Sequence, residues 1–289
     1  MNKKHKKKKN LISNDDAVAG IVVSILIVGL VLSVIYVIQL VYIPNWMSEK
    51  EAEHIDEVAD QFSMLKFAID TQSLTEKDIP ISTSITLGSK ELPFLSSNRA
   101  FGFLRIDTES CSLDITNDSS TFTYALGCIK YSSKNAYFLD RSYTYEGGAI
   151  ISSQAKGSII SIIPYFYADY DNVSEVDITF KTVKLSPVGE KTSVSGYGTY
   201  PIQSQYSSHE DLIIPQVSMI NITTLYPNAW RLFLNSTLTN QGLTYGPSND
   251  YWFTSSSDRI ILQFDSSLSV DVSLYVTTIK AQIAPGWIE

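Results

Sequence analysis

The feature that most constrains this chain is a run of 27 uncharged, mostly apolar residues at positions 17–43, placed after a lysine-rich start. Six lysines lie within residues 1–16. A helix of about 20 apolar residues is long enough to span a bilayer, and a lysine-rich flank stays on the cytoplasmic side. The sequence therefore predicts a cytoplasmic tail at 1–16, a transmembrane helix at 17–43 and an extracellular remainder, in a single-pass protein of the cell membrane.

Two other interpretations of this run are a cleaved secretory signal and a buried core helix. A signal core has about 7–15 apolar residues and ends at a small-residue cleavage site. Here the run is longer and is followed by Tyr42, Pro44 and Trp46. Because Tyr and Trp anchor helices at membrane interfaces, we favour a retained signal anchor.

The residues after the run are acidic. The chain has 22 basic and 30 acidic side chains, of which residues 44–289 hold 16 and 28, a net charge of −12. Nucleic acids and anionic headgroups are bound by basic surfaces. The charge argues against nucleic acid as a partner, and membrane lipid is expected to contact the apolar run alone.

Residues 44–73 have the pattern of an amphipathic helix that follows the membrane segment. Apolar residues recur every three or four positions and form an apolar stripe of Met47, Ile55, Val58, Phe62, Leu65 and Ile69. Ser48 and Glu51 match a capping box, and Pro44 is expected to kink or break the helix. The stripe needs a partner, for which the β-domain of the same chain comes first and another copy of the chain second.

From residue 80 onward the apolar period becomes two, and Ser, Thr, Tyr, Ile and Val dominate, as in strands. The predicted fold class is α+β: a transmembrane helix continuing into an amphipathic stalk helix, then a mostly antiparallel, β-sandwich-like extracellular domain at 74–289. A change of parity predicts a β-bulge near Thr182, and 258–276 is a hairpin candidate. Segment 227–238 is a short helix candidate with Trp230 and Phe233 buried. The stretches 186–216 and 235–258 are expected to be looser, and a break between two sub-sheets is considered near 186–216.

The two cysteines, Cys111 and Cys128, both follow the membrane segment, where disulfides persist. The residues between them predict a hairpin with a turn at 117–120, which would put Leu113 opposite Leu126 and join the cysteines by a cross-strand disulfide. A loop of this length would contribute about 3 kcal/mol of stability. The alternative is two free, buried thiols. Two thiols and three scattered histidines do not make a metal site, so no metal is expected.

Four N-x-S/T sequons are candidates for glycosylation, and all of them follow the membrane segment: Asn117, Asn172, Asn221 and Asn235.

A catalytic constellation is not recognisable in the sequence. His54 lies among acidic side chains of the predicted stalk and is expected to be exposed. His209 stands beside Glu210 and Asp211, but neighbouring residues in one segment rarely converge on one atom. Motifs for zinc, phosphate loops or dinucleotides are lacking. We therefore expect neither an enzyme nor a cofactor.

Residues 15–29, DDAVAGIVVSILIVG, resemble the N-terminal hydrophobic segment of archaeal type IV pilin-like proteins. The continuation resembles a family of archaeal membrane-anchored surface proteins with that start, on features that include Pro44, Trp46, Glu51, Glu53, His54, Val58, Phe62, Leu65, Lys66 and Asp70. The Glu146, Gly148 and Ala149 pattern resembles the same family. The family is mostly of unassigned function, so the resemblance implies architecture more than activity.

The resemblance implies a non-enzymatic cell-surface protein, a pilin-like subunit or minor pilin-type component. Its partners would be copies of itself or other pilin-like subunits. Two small-residue pairs, Gly20 with Ser24 and Gly29 with Ser33, would allow close helix packing. Asp15 and Asp16 occupy the place of the Lys-Gly pair of a prepilin peptidase site, so cleavage and polymerisation stay open. The alternative is a membrane-tethered binding module for glycan or protein, for which the 17 tyrosines are suited.

Overall fold

The computed structural model describes residues 13–92, 98–247 and 249–284. Two helices, α1 (Ser13–Val37) and α2 (Ile43–Thr75), are joined by a π-helical turn at Ile38–Tyr42, and α3 is Pro227–Asn240. The strands of the first half are β1 (Ile81–Thr86), β2 (Phe101–Asp107), β3 (Ser112–Asn117), β4 (Thr121–Ala125), β5 (Cys128–Lys134), β6 (Arg141–Glu146), β7 (Ala149–Gln154) and β8 (Gly157–Ile162). Those of the second half are β9 (Tyr165–Tyr170), β10 (Glu175–Pro187), β11 (Ser193–Gly196), β12 (Thr199–Ile214), β13 (Val217–Thr223), β14 (Tyr251–Ser255), β15 (Arg259–Phe264) and β16 (Ser269–Ile283).

The strands form three sheets. The central sheet has the order β1-β12-β16-β10-β9, the second sheet β11-β2-β5-β6-β7-β8 and the third sheet β14-β15-β13-β3-β4. Within the described residues β10 and β16 are the parallel pair, and the other paired strands are antiparallel. The predicted α+β class with a mostly antiparallel β-domain is confirmed.

Helix α1 stands outside this domain. Its apolar side chains from Val18 onward are exposed, and none of the most hydrophobic window is buried. The helix is long enough and apolar enough to cross a membrane. In a buried core helix this surface would be covered by other residues. The interpretation of the apolar run as a core helix is therefore wrong.

Helices α1 and α2 are continuous through Pro44. Proline has no N–H group and its ring crowds the preceding turn. The chain accommodates this by widening to a π-helical turn, in which the Ile43 N–H donates to the Ile38 carbonyl. Because no helix begins at Ser48, the predicted capping box does not form.

Helix α2 is part of the domain rather than a free stalk. All six residues of the apolar stripe are at most 1% exposed. Those from Ile55 onward pack with the second sheet and one end of the central sheet. The prediction that the β-domain of the same chain covers the stripe is confirmed, and the stripe is unavailable to another copy.

A separate core lies between the opposite face of the central sheet, the third sheet and α3. The central sheet therefore changes its buried face along its length: Phe180 and Leu274 face this core, whereas Val183 and Ile279 face α2. The β10–β16 register runs through this level without a shift. The predicted β-bulge near Thr182 is therefore wrong. The apolar residues of β10 change parity because one face of the strand is buried in one core and the opposite face in the other.

Two other local predictions differ from the structure, and a third agrees with it. Strands β15 and β16 do not form a hairpin, since they belong to the third and central sheets and face each other across a core. The stretch 186–216 is not loose: it contains β11 and the long strand β12, which pairs with β1 and β16. The predicted short helix is confirmed as α3, with Trp230 buried and Phe233 half-buried.

Candidate binding groove

An open pocket of about 480 Å³ lies where α2 ends on the central sheet. The helix covers this face at the level of Val183 and Ile279, but it ends at Thr75 and leaves the rest of the face uncovered. The uncovered part carries Tyr165 and Tyr167, which are 57% and 51% exposed. The pocket volume falls within the range of small-molecule sites, about 300–1,000 Å³. We call this pocket the groove.

Lys181 of β10 is the cation at the centre of the groove. Its Nζ lies 4.7 Å from the ring centroid of Tyr165 and 5.4 Å from that of Tyr275. The strand register creates this arrangement, because Tyr165 and Tyr275 are the direct neighbours of Lys181 on β9 and β16. Among the described residues no carboxylate lies within salt-bridge distance of Lys181. The tyrosine rings attract the ammonium group and leave its charge available.

His209 and Asp211 form the wall opposite Lys181 along β12. Residues two apart on a strand share a face, and the His209 Nε2 and an Asp211 Oδ1 are paired. The imidazole stacks on Tyr275, and its Nδ1 lies 3.3 Å from the Thr277 hydroxyl. Glu210 points to the other face and accepts a hydrogen bond from Tyr124. In the described part of the chain no serine hydroxyl contacts either nitrogen of His209, so a Ser-His-acid triad is not assembled there.

The last turns of α2 supply the remaining wall. Lys66 donates to Asp70 at 2.8 Å, which neutralises that pair. Ser73 and Glu76 add a hydroxyl and a carboxylate, and Leu74 is 75% exposed at the rim. The groove therefore combines paired charges, hydroxyl groups and one cation that lacks a counter-ion.

The sequence reasoning missed the principal groove residues. Lys181, Tyr165 and Tyr275 come from three strands, and no motif links them. The available signal was the alternation in β9, which places Tyr165 and Tyr167 on the face opposite the buried Phe166. Large aromatic residues on the solvent side of a strand indicate a possible contact surface.

His54 and Glu51 are buried, in contrast to the predictions for this part of α2. The His54 Nε2 lies 3.0 Å from the Tyr131 hydroxyl and 3.2 Å from the Leu87 carbonyl, and burial lowers its pKa. Glu51 is fully buried and accepts hydrogen bonds from three consecutive backbone N–H groups at residues 136–138, at 2.7–2.9 Å. The prediction that His54 is exposed is therefore wrong, because the second sheet covers this side of α2.

Cys111 and Cys128 are both free and buried in the structure. The predicted hairpin exists as β3 and β4, but its register is wrong: Leu113 lies opposite Tyr124 instead of Leu126. The Leu126 N–H donates to the Cys111 carbonyl, and Gly127 with φ of +71° turns the chain into β5 of another sheet. Cys128 is therefore not the cross-strand neighbour of Cys111, which removes the geometric basis of the predicted disulfide.

Burial raises the pKa of both thiols, to about 11 for Cys128. Glu146 lies in the same environment, and burial raises its pKa to about 7, offset in part by the hydrogen bond that Trp230 Nε1 donates to its carboxylate at 2.8 Å. The raised pKa values disfavour thiolates, so these thiols are poor nucleophiles.

The four sequons differ in accessibility. Asn172 is exposed in a left-handed turn with φ of 62°. The amide nitrogen of Asn117 donates to the Pro215 carbonyl, and that of Asn221 donates to Asp114. Asn235 is half-buried and accepts from the Tyr251 hydroxyl. Of the four, Asn172 presents its side chain most freely to a glycosylating enzyme.

The small-residue pairs of α1 are exposed. A Cβ atom added at Gly20 or Gly29 would meet nothing within 4 Å. Ser24 and Ser33 bond to carbonyls of their own helix, at Gly20 and Leu30. The two glycines are nine residues apart, so at about 100° per residue they lie on opposite sides of the helix.

The described residues contain no group of three or more His, Cys, Asp or Glu side chains arranged to share a metal ion. Comparison of the chain with protein-family models, with curated proteins and with solved structures found no match in any of the three. The functional argument therefore depends on the geometry of this chain alone.

Proposed function

We propose that this chain is a non-enzymatic cell-surface protein, a pilin-like subunit or minor pilin-type component anchored by its N-terminal helix. One observation carries the proposal: α1 is exposed on all sides and continues without a break into α2, whose apolar stripe is buried in the domain. A filament subunit requires a free apolar helix for its neighbours and a domain carried rigidly by that same helix. The lysines of residues 1–16 favour a cytoplasmic N-terminus, which puts the domain outside.

Association would depend on α1, because the apolar stripe of α2 is occupied within the chain. Gly20 and Gly29 lie on opposite sides of α1 and would each allow a neighbouring helix to approach closely. An interface of this kind needs small residues at its closest point, so a bulky side chain there would separate the helices.

Electron microscopy of shed surface material, with antibody against the β-domain, tests the proposal. We expect labelled fibres from the wild-type chain and their loss in the Gly20→Leu and Gly29→Leu variants. Val23→Leu is the control, since it changes an exposed apolar position that is already bulky. Fibres that persist in both glycine variants, or label confined to the membrane in the wild type, would contradict the proposal.

The mass of the mature N-terminus and protease shaving of whole cells test processing and topology. Assembly after cleavage predicts loss of the six lysines, with a cut near residues 16–19. Shaving should remove the domain from intact cells. A domain that resists protease in intact cells and is digested only after lysis would contradict the outward orientation.

The second candidate is a membrane-tethered binding module, and the groove favours it. Lys66 lies 23 residues after the start of α2 at Ile43, or about 35 Å along the helix at 1.5 Å per residue. The groove would thus lie well clear of the lipid, where a soluble or surface-bound partner can reach it. An intact lysine tail and membrane-confined label would support this candidate.

A further inference from the structure

Among the described residues that line the groove, one cation, Lys181, has no carboxylate partner. The groove is therefore expected to bind a ligand that carries a negative charge. Lys66 is paired with Asp70 and His209 with Asp211, whereas Lys181 contacts two tyrosine rings. A lysine held in this way offers its N–H groups to an anionic oxygen. Charge-assisted hydrogen bonds of this type are stronger than neutral ones.

The surrounding acids limit that anion to a single negative charge. The lining carries two lysines, Lys66 and Lys181, and the carboxylates of Asp70, Glu76 and Asp211. A dianionic phosphate would place two negative charges at one unpaired lysine, close to these carboxylates. A ligand with a single carboxylate can place that group at Lys181, and the uncharged rest of the ligand then lies beside the acidic side chains.

The acids and hydroxyl groups define the remainder of the ligand as a polyol. Ionised carboxylates only accept hydrogen bonds, so Glu76 and the second oxygen of Asp211, whose Oδ1 is paired with His209, can take donors such as ligand hydroxyl groups. The Ser73 hydroxyl donates to the Ile69 carbonyl at 2.9 Å and can accept from a ligand, and the Thr277 hydroxyl can donate or accept. At the rim, Tyr165 and Leu74 present exposed apolar surface to the C–H face of a ring. Apolar walls with a few convergent polar groups are typical of small-molecule sites.

We propose that the groove binds an acidic saccharide, with a sugar carboxylate at Lys181, hydroxyl groups at the acids and a ring face on Tyr165. The proposal adds a ligand class to the tethered-binding candidate, on which it rests. It does not depend on fibre formation, so electron microscopy can contradict assembly without affecting it.

The test is calorimetric titration of the full chain in lipid nanodiscs with two probes. One is a disaccharide with a single glucuronic acid residue, and the other is its neutral counterpart with glucose at that position. We expect the acidic probe to bind at least tenfold more tightly, a difference of about 1.4 kcal/mol, and its affinity to fall as salt rises. Equal affinity for the two probes, or absence of binding by both, would overturn the proposal.

Variants assign the contacts. Lys181→Gln should weaken the acidic probe tenfold or more and leave the neutral probe unchanged. Lys184→Gln is the matched control, because Lys184 is exposed on the opposite face of the same strand. Tyr165→Ala should weaken both probes, with Tyr167→Ala as its control outside the groove. Wild-type affinity in Lys181→Gln, or tighter binding of a short peptide carboxylate than of the acidic disaccharide, would refute the assignment.

Discussion

Glu51 gives the sharpest test of how α2 is held in the domain. Its buried carboxylate accepts from the backbone N–H groups of residues 136, 137 and 138 at 2.9, 2.8 and 2.7 Å. These bonds fix the loop between β5 and β6 to the helix. Glu51→Ala would remove all three acceptors at once and leave the loop donors without a protein partner.

The expected loss follows from the strength and exposure of these bonds. A hydrogen bond to a charged group contributes about 1.5–3 kcal/mol, but the loop is partly exposed and water can replace some of the lost contacts. We therefore expect the free energy of unfolding to fall by about 3 kcal/mol in total. For a folded unit of this size the corresponding fall in Tm is about 6–12 °C. Glu51→Gln should recover part of this loss, because its amide keeps one acceptor oxygen.

Thermal unfolding of the full chain in detergent, followed by tryptophan fluorescence, measures the effect. Glu53→Ala is the control: Glu53 lies half a turn away, is 59% exposed and pairs only with Lys50. We expect its unfolding free energy to change by less than about 0.5 kcal/mol. If Glu51→Ala also lost less than about 1 kcal/mol, the loop would not be held by this carboxylate and the reasoning would fail.

Two further changes test the cores. Burial raises the pKa of Glu146 from 4.5 to about 7, so between these values the unfolded chain releases a proton that the folded chain keeps. The free energy of unfolding should therefore fall across that range, by on the order of 3 kcal/mol. Urea unfolding at about pH 5 and pH 8 measures this fall, which should be absent in Glu146→Gln. Gly102→Ala should cost about 1–3 kcal/mol or more, because the new Cβ would overlap the Leu87 carbonyl oxygen. Chemical denaturation of Gly157→Ala, where nothing lies within 4 Å, should show almost no change.

The sequence predicts the helical part of this chain well, because that information is local. The length of the apolar run and the three- and four-residue period of the apolar stripe both indicate helices, and both segments are helical. The turn between β6 and β7 also has a local signal in the sequence: Gly147 and Gly148 have φ of 56° and 86°, a conformation that favours glycine.

The sheet topology was not predictable in the same way. Alternation shows that a strand has two faces, but it does not show which strand lies beside it. Segment 258–276 has the pattern of a hairpin, yet tertiary packing puts β15 and β16 in different sheets. Strand β12 was missed because much of it is half-buried or exposed, and a register shift between Tyr206 and Ser208 interrupts its period.

The error at Thr182 and the existence of the groove have one physical cause. Strands β10 and β16 are long enough to take part in two cores, and each changes its buried face at the level of Thr182 and Val276. The face of the central sheet that α2 covers at Val183 and Ile279 has no cover on the other side of this level. Lys181 and Tyr275 therefore face outward there, beside the end of the helix. A parity change without a bulge thus indicates a strand shared by two cores, and the uncovered face next to the change is the place to look for a binding site.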